Sequence, residues 1–148
     1  MSDAPPGIPG LDHGVIGNGR VLALVSPTSA IEWLCLPRFD SPSVFARLLD
    51  AERGGCFRFL TGGRELEGQM EYLTNTNILR TVFRDGDTAW ELIDFVPRVR
   101  SGAGVHAPRE LVRLVRPLSG APRILVDFDP RPDYARGTPV LIEGHDSI

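Results

Sequence analysis

The sequence predicts an all-β protein, an antiparallel β-sandwich with one short helix. Short runs rich in β-branched and aromatic residues recur at spacings of roughly 8–12 residues, separated by clusters of Gly, Pro, Asn and Asp that favour turns. An Asp85-Gly86 pair joins two such runs, which is typical of a tight β-hairpin. Only one stretch, residues 42–50, carries apolar residues at helical spacing.

The first forty residues predict a flexible lead-in and then three antiparallel strands. Residues 1–10 are rich in Pro and Gly, so the folded domain is expected to span 11–148. The predicted strands and turns follow in this order: strand 15–16, turn 17–19, strand 20–25, turn 26–29 and strand 31–36. Both faces of the second and third strands are largely apolar, which predicts that each is covered on two sides.

A helix is predicted directly after these strands, near residues 42–50. Ser41 is a suitable N-cap, and Pro42 suits the first helical position. The apolar residues that would share one face of this helix are Val44, Phe45, Leu48 and Leu49. Gly54 and Gly55 then predict its end.

The remainder of the chain predicts further antiparallel strands. These cover residues 56–60, 69–73, 77–84, 88–96, 110–118 and 123–129. The run 88–96 is apolar on both faces and should be a central strand, and residues 97–108 should form a long exposed loop. The runs 110–118 and 123–129 should pair as a hairpin. A last strand begins at Pro139 without a visible successor, so the sandwich is expected to be cut before its final strands.

Composition favours a single globular domain with no nucleic-acid or membrane partner. The chain has 148 residues and a net charge of -3, which leaves no basic footprint for phosphate backbones or anionic lipid. It lacks a signal peptide and any run near the ~20 apolar residues of a membrane span, so a cytoplasmic location is expected. Cys35 and Cys56 lie in apolar runs and should be free and buried, and the histidines lack ligand spacing. No metal or cofactor is therefore expected.

Standard catalytic motifs are missing from the sequence, so acidic residues in strands are the remaining catalytic candidates. They are Glu91, Asp94, Asp127 and Asp129. A pair of carboxyl groups can supply the acid and the base of glycosidic hydrolysis. Such residues more often pair with arginine across a ladder, and Asp127 is expected to pair with Arg113 in this way. The structural interpretation is the favoured one, and both tryptophans, Trp33 and Trp90, are expected in the core.

The loop that carries Arg38, Phe39 and Asp40 is the best candidate for substrate binding. It lies between two prolines and joins two apolar segments, which would hold its planar and bidentate groups rigidly at the rim of a sheet. Ligand contact and simple bracing of the loop are equally consistent with these residues. A second segment of similar composition, with Arg131, Asp133 and Tyr134, is a weaker candidate.

Several runs share their order and spacing with one known family. The most specific is 31–46, which contains Trp-Leu-Cys-Leu-Pro-Arg-Phe-Asp-Ser-Pro. The others are residues 14–20, 23–25, 72–79, 94–98 and 130–134. Together they resemble the N-terminal domain of bacterial glycoside hydrolase family 15 enzymes, the glucoamylase-like and trehalase-like proteins. The resemblance covers nearly the whole chain after about residue 10.

The resemblance implies a role beside a catalytic domain. In the family, the N-terminal sandwich, part of a supersandwich, is followed by an (α/α)₆ barrel in which two glutamates hydrolyse an α-glucosidic bond with inversion. This chain has no succession of long amphipathic helices, so it is expected to lack the barrel, to contain no catalytic residue and to be inactive alone. Its implied work is to brace the barrel and to line the active-site mouth, with the barrel and its α-glucoside as partners.

Two other classes of function remain open on the residues alone. A stand-alone carbohydrate-binding module would bind sugar without a barrel. An interaction or assembly domain would instead associate with copies of itself, because exposed edge strands pair readily with one another.

Overall fold

The computed structural model describes residues 12–140, 142 and 144, and it confirms the all-β antiparallel class. The predicted lead-in 1–10, His145 and residue 141 of the predicted last strand lie outside the described residues. The strands are β1 Gly14–Gly17, β2 Leu22–Val25, β3 Ile31–Cys35, β4 Ser43–Phe45, β5 Cys56–Thr61, β6 Gln69–Tyr72, β7 Leu79–Asp85, β8 Thr88–Phe95, β9 Val99–Ser101, β10 Gly104–His106, β11 Val112–Ser119 and β12 Ile124–Asp129. A single helical turn, α1 Pro132–Ala135, follows them.

The strands form two packed sheets and a small hairpin. The first sheet has the order β1-β2-β3-β5-β12, with β4 added on β3, and the second has the order β11-β8-β7-β6. Strands β9 and β10 form the hairpin inside the predicted loop 97–108. The Asp85-Gly86 turn joins β7 to β8, and β8 lies between two neighbours as predicted for a central strand.

Alternating side chains of the two sheets meet in the core. One buried cluster joins residues of the first sheet, among them Ile16, Val25 and Phe45, to Leu79 of the second. In the other, Phe83 and Trp90 stack with ring centroids 4.1 Å apart, and Phe59 of the first sheet packs edge-on against Trp90. Trp90 thus confirms its predicted core position, whereas Trp33 is only partly buried.

The predicted helix at 42–50 is wrong. Ser43–Phe45 is an extended strand whose Phe45 pairs with Leu34 of β3 and is fully buried. Leu48 and Leu49, which were expected on the apolar face of the helix, are exposed on a turn. The amide of Ala46 donates to the carbonyl of Gly54 at 2.8 Å and closes this turn. Pairing with β3 buries Phe45 on a period of two, so tertiary contacts override the local helical spacing.

The predicted hairpin between 110–118 and 123–129 is also wrong. Strand β11 pairs with β8 of the second sheet, and β12 pairs with β5 of the first, so the connection between them crosses from one sheet to the other. Each becomes an edge strand of its own sheet. The described residues of the predicted last strand, 139, 140 and 142, belong to no strand.

A buried ion pair ties the two sheets together. Arg113 of β11 donates to both carboxylate oxygens of Asp94 on β8, at 2.8 and 3.0 Å, and both side chains are almost fully enclosed. The same guanidinium donates to the carbonyls of Phe57 and Ser29, which belong to the first sheet and its β2–β3 turn. The expected pair of Arg113 with Asp127 does not form, because Asp127 lies on the other sheet.

Two further features concern buried thiols and membrane segments. Cys35 and Cys56 are free and buried, as predicted. Within the described part of the chain, no helix has the length and apolar character needed to cross a membrane.

Candidate functional site

Segments distant in sequence meet at the turn formed by residues 17–20, between β1 and β2. Asn18 is 3% exposed, and its amide nitrogen donates to the carbonyls of Pro97 and Pro108 at 3.0 and 2.8 Å. Its side-chain oxygen accepts from the backbone amides of Arg20 and Val21. One side chain therefore fixes both the turn and the two ends of the β9–β10 loop.

Three more contacts bring other runs that resemble the family 15 N-terminal domain to this turn. Arg98 donates to the carbonyl of Asn18 at 2.8 Å, and the amide of Asn77 donates to the carbonyl of Gly17 at 2.8 Å. The backbone amide of Phe39 donates to the carbonyl of Arg20 at 2.9 Å. We call this region, residues 17–20, 38–40, 75–77 and 97–98, the turn end of the sandwich. Four of the runs that resemble family 15 thus converge at one place.

The 38–40 loop presents ordered polar groups to solvent. Arg38 forms a two-pronged pair with Asp40, with Nε to Oδ1 at 2.9 Å and Nη2 to Oδ2 at 3.0 Å. The backbone amide of Arg38 also donates to the hydroxyl of Ser41, and Phe39 is 58% exposed. An exposed pair of this kind contributes only about 0–1 kcal/mol to stability. Its main consequence is that it fixes the positions of a guanidinium and a carboxylate beside an open aromatic ring.

Adjoining clefts surround this loop. One of about 310 Å³ is lined by Gly19, Arg20, Arg38, Phe39 and Arg109. A second, of about 250 Å³, shares Gly19 and Phe39 with it. Phe39 therefore stands at the border of two concave surfaces, where a ring-shaped ligand could stack on it.

A third cleft continues the series toward the β6–β7 turn. It has a volume of about 420 Å³, and it shares Gly17 and Asn77 with the second cleft. Its remaining lining includes Asn75, Thr76 and Arg98, so polar side chains follow the turn end over its whole width.

The weaker candidate segment, 131–134, lies elsewhere. The amide of Arg131 donates to the carbonyl of Val44 in β4, and its side chain pairs with Asp129. Asp133 and Tyr134 have left-handed φ angles of 54° and 55°, and the Tyr134 ring lies 6.4 Å from that of Trp33. None of these residues lines the clefts of the turn end, so within the described residues the structure does not bring the two candidate segments together.

Each of the four strand carboxylates named as catalytic candidates pairs with arginine, as their structural interpretation expects. Glu91 is flanked by Arg80 and Arg116, and its hydrogen bond with Arg80 helps to hold its pKa below the ordinary value. On the first sheet, Asp127 and Asp129 pair with Arg58 and Arg131 in the same manner.

The pKa of Asp94 shifts in the opposite direction from that of Glu91. Burial raises its pKa, and the opposite effect of Arg113 compensates only in part. A general acid needs a raised pKa, but it must also face a ligand cleft. Asp94 is fully enclosed and bound on both oxygens by Arg113, so it cannot reach a substrate.

Sequence reasoning missed Asn18, Asn77, Arg20 and Arg109. The Gly-Asn-Gly run was interpreted only as a turn signal, although an asparagine between glycines can also bond in two directions through its amide. No sequence pattern identifies Arg109, because it reaches the cleft through the fold of the 97–108 loop.

Comparison with known proteins identifies the family. A family model described as "Trehalase-like, N-terminal" matches residues 6–148. The chain is 35% identical over 131 residues to a trehalase of Thermoplasma volcanium, covering 87% of this chain and 21% of that protein. It is 37% identical to a trehalase of Thermoplasma acidophilum, covering 80% and 20%, and 30% identical to a trehalase of Mycobacterium tuberculosis, covering 84% and 20%.

These relatives are much longer than the matched region. The chain spans about a fifth of their length, and no solved structure matches it. The family model nevertheless covers almost the whole chain, from residue 6 to residue 148. The chain belongs to the family of trehalase-like N-terminal domains.

Proposed function

We propose that this chain is the non-catalytic N-terminal domain of a longer glycoside hydrolase of family 15, an inverting α-glucosidase of trehalase or glucoamylase type. The relatives that support this are trehalases of which the chain covers about a fifth, which leaves room for a catalytic domain. The catalytic acid and base belong, in this proposal, to a helical barrel outside the chain. A cytoplasmic location stays a prediction.

The turn end would line the mouth of the catalytic site. The observation that carries this is the convergence of four resembling runs on the 17–20 turn, with the Arg38–Asp40 pair and Phe39 exposed beside it. A planar guanidinium donates to sugar hydroxyls and a carboxylate accepts from them, while an aromatic ring packs on the apolar face of a pyranose. Arg38, Phe39 and Asp40 together supply all three contacts.

The second role, bracing the catalytic domain, would fall to the part of the sandwich that carries the edge strands β11 and β12, which we call its open side. Here β11 and β12, each the edge strand of its sheet, carry exposed apolar side chains, among them Val115, Val126 and Phe128. Apolar edges of this kind are normally covered by another part of the molecule. We infer that the remainder of the longer protein, as further strands or as the barrel itself, covers this side.

The kinetic test uses the full-length enzyme. Asp40→Ala removes the carboxylate and frees Arg38, so we expect a higher KM or a lower kcat for trehalose or maltose at an unchanged melting temperature. Asp87→Ala is the matched control, because Asp87 is exposed in the β7–β8 turn, at the far end of β7 from Asn77. Unchanged kinetics in Asp40→Ala together with a lower melting temperature would show that the loop only braces the fold.

A second candidate, the assembly domain, is favoured by the same open side. If no other part of a longer protein covers β11 and β12, the two edges are free to pair with those of another copy. The two candidates differ in what covers the edges, and the concentration dependence of self-association by the isolated chain separates them.

A further inference from the structure

Strands β9 and β10 form a hairpin that belongs to neither of the two packed sheets. Among the described strands they pair only with each other. The cross-strand pairs are Ser101–Gly104, Arg100–Val105 and Val99–His106. All residues from 98 to 106 are exposed, and a Cβ added to Gly102 in the hairpin turn would meet no atom within 4 Å. The hairpin therefore projects from the body of the domain.

A buried side chain holds the base of this hairpin. The amide of Asn18 donates to the carbonyl of Pro97, which precedes the hairpin, and to the carbonyl of Pro108, which follows it. Arg98, the residue after Pro97, donates to the backbone carbonyl of Asn18 at 2.8 Å. These three hydrogen bonds fix both ends of the segment to the 17–20 turn. The hairpin is thus a projecting element on an ordered support.

Apolar and basic side chains together describe the surface of the hairpin. Val99 and Val105 are 56% and 50% exposed, and they lie on opposite faces, because Val105 is paired with Arg100, the neighbour of Val99. A two-stranded hairpin of this kind is marginally stable in water without further packing. From residue 95 to residue 109 the sequence has three arginines and no acidic residue, although the whole chain has a net charge of -3. Such a surface is complementary to one that is acidic and partly apolar.

The hairpin rises from the turn end of the sandwich. Arg98 and Val99 line the cleft of about 420 Å³, and Arg109, just beyond the hairpin, lines the cleft that contains Phe39. Whatever faces the turn end therefore also faces the hairpin.

We propose that residues 97–108 form a docking arm that binds an acidic, partly apolar surface of the catalytic domain, beside the mouth of the catalytic site. This inference rests on the proposed function, which places the turn end at that mouth. The chain spans about a fifth of the trehalases it matches, so most of each relative lies outside the matched region. A domain of the same polypeptide meets the arm at a high effective concentration, whereas a second copy must associate from solution.

Amide hydrogen exchange measures whether the arm is covered. In the isolated chain of 148 residues, the amides of β9 and β10 should exchange rapidly, since a solvated hairpin opens easily. In the full-length enzyme the same amides should exchange at least about tenfold more slowly, because contact with the catalytic domain opposes local opening. Gly86 and Asp87, in the exposed β7–β8 turn, are the internal reference and should exchange rapidly in both proteins.

Substitutions in the arm test its contacts. Arg100→Glu, and Val99→Ser combined with Val105→Ser, should each return the protection of the hairpin amides in the full-length enzyme to nearly that of the isolated chain. Arg84→Glu is the matched control, because Arg84 is an exposed strand arginine next to the β7–β8 turn, and it should leave this protection unchanged. The melting temperature of the isolated chain should be the same in the arm variants, since their side chains are exposed there.

Three results would overturn the proposal: equally rapid exchange of the hairpin amides in both proteins, full protection in both arm variants, or protection that rises with protein concentration. The last result would assign the arm to a second copy of the chain. The kinetic test of Asp40→Ala reports separately on the proposed function. Altered kinetics in Asp40→Ala with an uncovered hairpin would refute the arm alone, and a covered hairpin with unaltered kinetics would refute only the role of the 38–40 loop.

Discussion

At the scale of single residues, Asn18 shows how one side chain organises the candidate site. Its side chain is buried, and glycines precede and follow it in the sequence. It donates hydrogen bonds to two backbone carbonyls and accepts them from two backbone amides, in three segments of the chain. Among side chains of this size, only an amide offers two donors and an acceptor at one position. The position of the 97–108 loop, and with it Arg109, therefore depends on this amide.

We expect Asn18→Ala to lower the free energy of unfolding by about 2–4 kcal/mol, because it leaves two backbone carbonyls unpaired in the interior. Asn18→Asp should lower the free energy of unfolding by a similar amount, since a carboxylate would face the carbonyls of Pro97 and Pro108. Urea unfolding measures both changes. Asn77→Ala is the comparison, because Asn77 is exposed and makes one bond to Gly17, so its loss should be under about 1 kcal/mol. Equal effects of Asn18→Ala and Asn77→Ala would contradict the central role of Asn18.

At the scale of elements, local pattern predicted the strands better than their pairing. The Asp85-Gly86 hairpin and the central position of β8 follow from turn chemistry and from apolar residues on both faces, and both are confirmed. The apolar spacing of the segment 42–50 fits 3.6 residues per turn and predicts a helix, whereas the structure has a strand there. The decisive contact, Phe45 beside Leu34, is with another strand and leaves no trace in the local pattern.

The candidate site was predictable only in part for the same reason. The 38–40 loop could be found because its prolines, charges and aromatic ring are adjacent in sequence. The other contributors, Arg20, Asn77 and Arg109, reach the turn end through long-range contacts. Strands β11 and β12 are likewise adjacent in sequence but bond to different sheets, which a hairpin rule cannot anticipate.

The edges of β11 and β12 lead to a prediction for the isolated chain. Because their apolar side chains are exposed, we expect the chain to self-associate in a concentration-dependent way that light scattering detects. Val126→Lys places a charge on the edge of β12 and should shift the protein toward monomer. Val140→Lys should not, since Val140 is exposed outside any strand. A monomer at every concentration would favour bracing of a larger protein over the assembly role.

At the scale of the whole molecule, arginines hold the sheets in place from inside and outside. Arg113 joins β8, β5 and the β2–β3 turn through the interior, and its guanidinium also lies 4.7 Å from the centre of the Phe57 ring. On the outer faces, Glu65 lies between Arg47 and Arg58, and Glu91 lies between Arg80 and Arg116. Loss of charge on either glutamate would weaken its ion pairs with two arginines at once.

This arrangement predicts a loss of stability in acid. Partial burial raises the pKa of Glu65, but its hydrogen bonds with Arg47 and Arg58 outweigh this, so its pKa lies below the ordinary value of 4.5, as does that of Glu91. A lowered pKa in the folded state means that the unfolded chain binds protons first. The stabilisation is complete above pH 4.5 and is lost as the pH falls through the folded-state values. Asp94, with its raised pKa, contributes in the opposite direction.

Urea unfolding from about pH 6 to about pH 3 measures this loss. Glu65→Gln combined with Glu91→Gln should flatten the decline, whereas Glu67→Gln should not, because Glu67 is exposed and has no arginine partner among the described residues. A decline that is as steep in the double variant as in wild type would assign the acid sensitivity to other groups.

The pairing of β5 with β12 has a consequence for the order in which the protein can form during synthesis. Arg58 and Asp127, which bond across these strands, are 69 residues apart. When β5 leaves the ribosome, the strand that covers its free edge has not yet been translated. The first sheet therefore stays incomplete, with the β12-facing edge of β5 unpaired, until nearly all of the domain has been synthesised. Pauses in translation before Ile124 should expose the nascent chain to chaperones, and pauses after β12 has emerged from the ribosome should not.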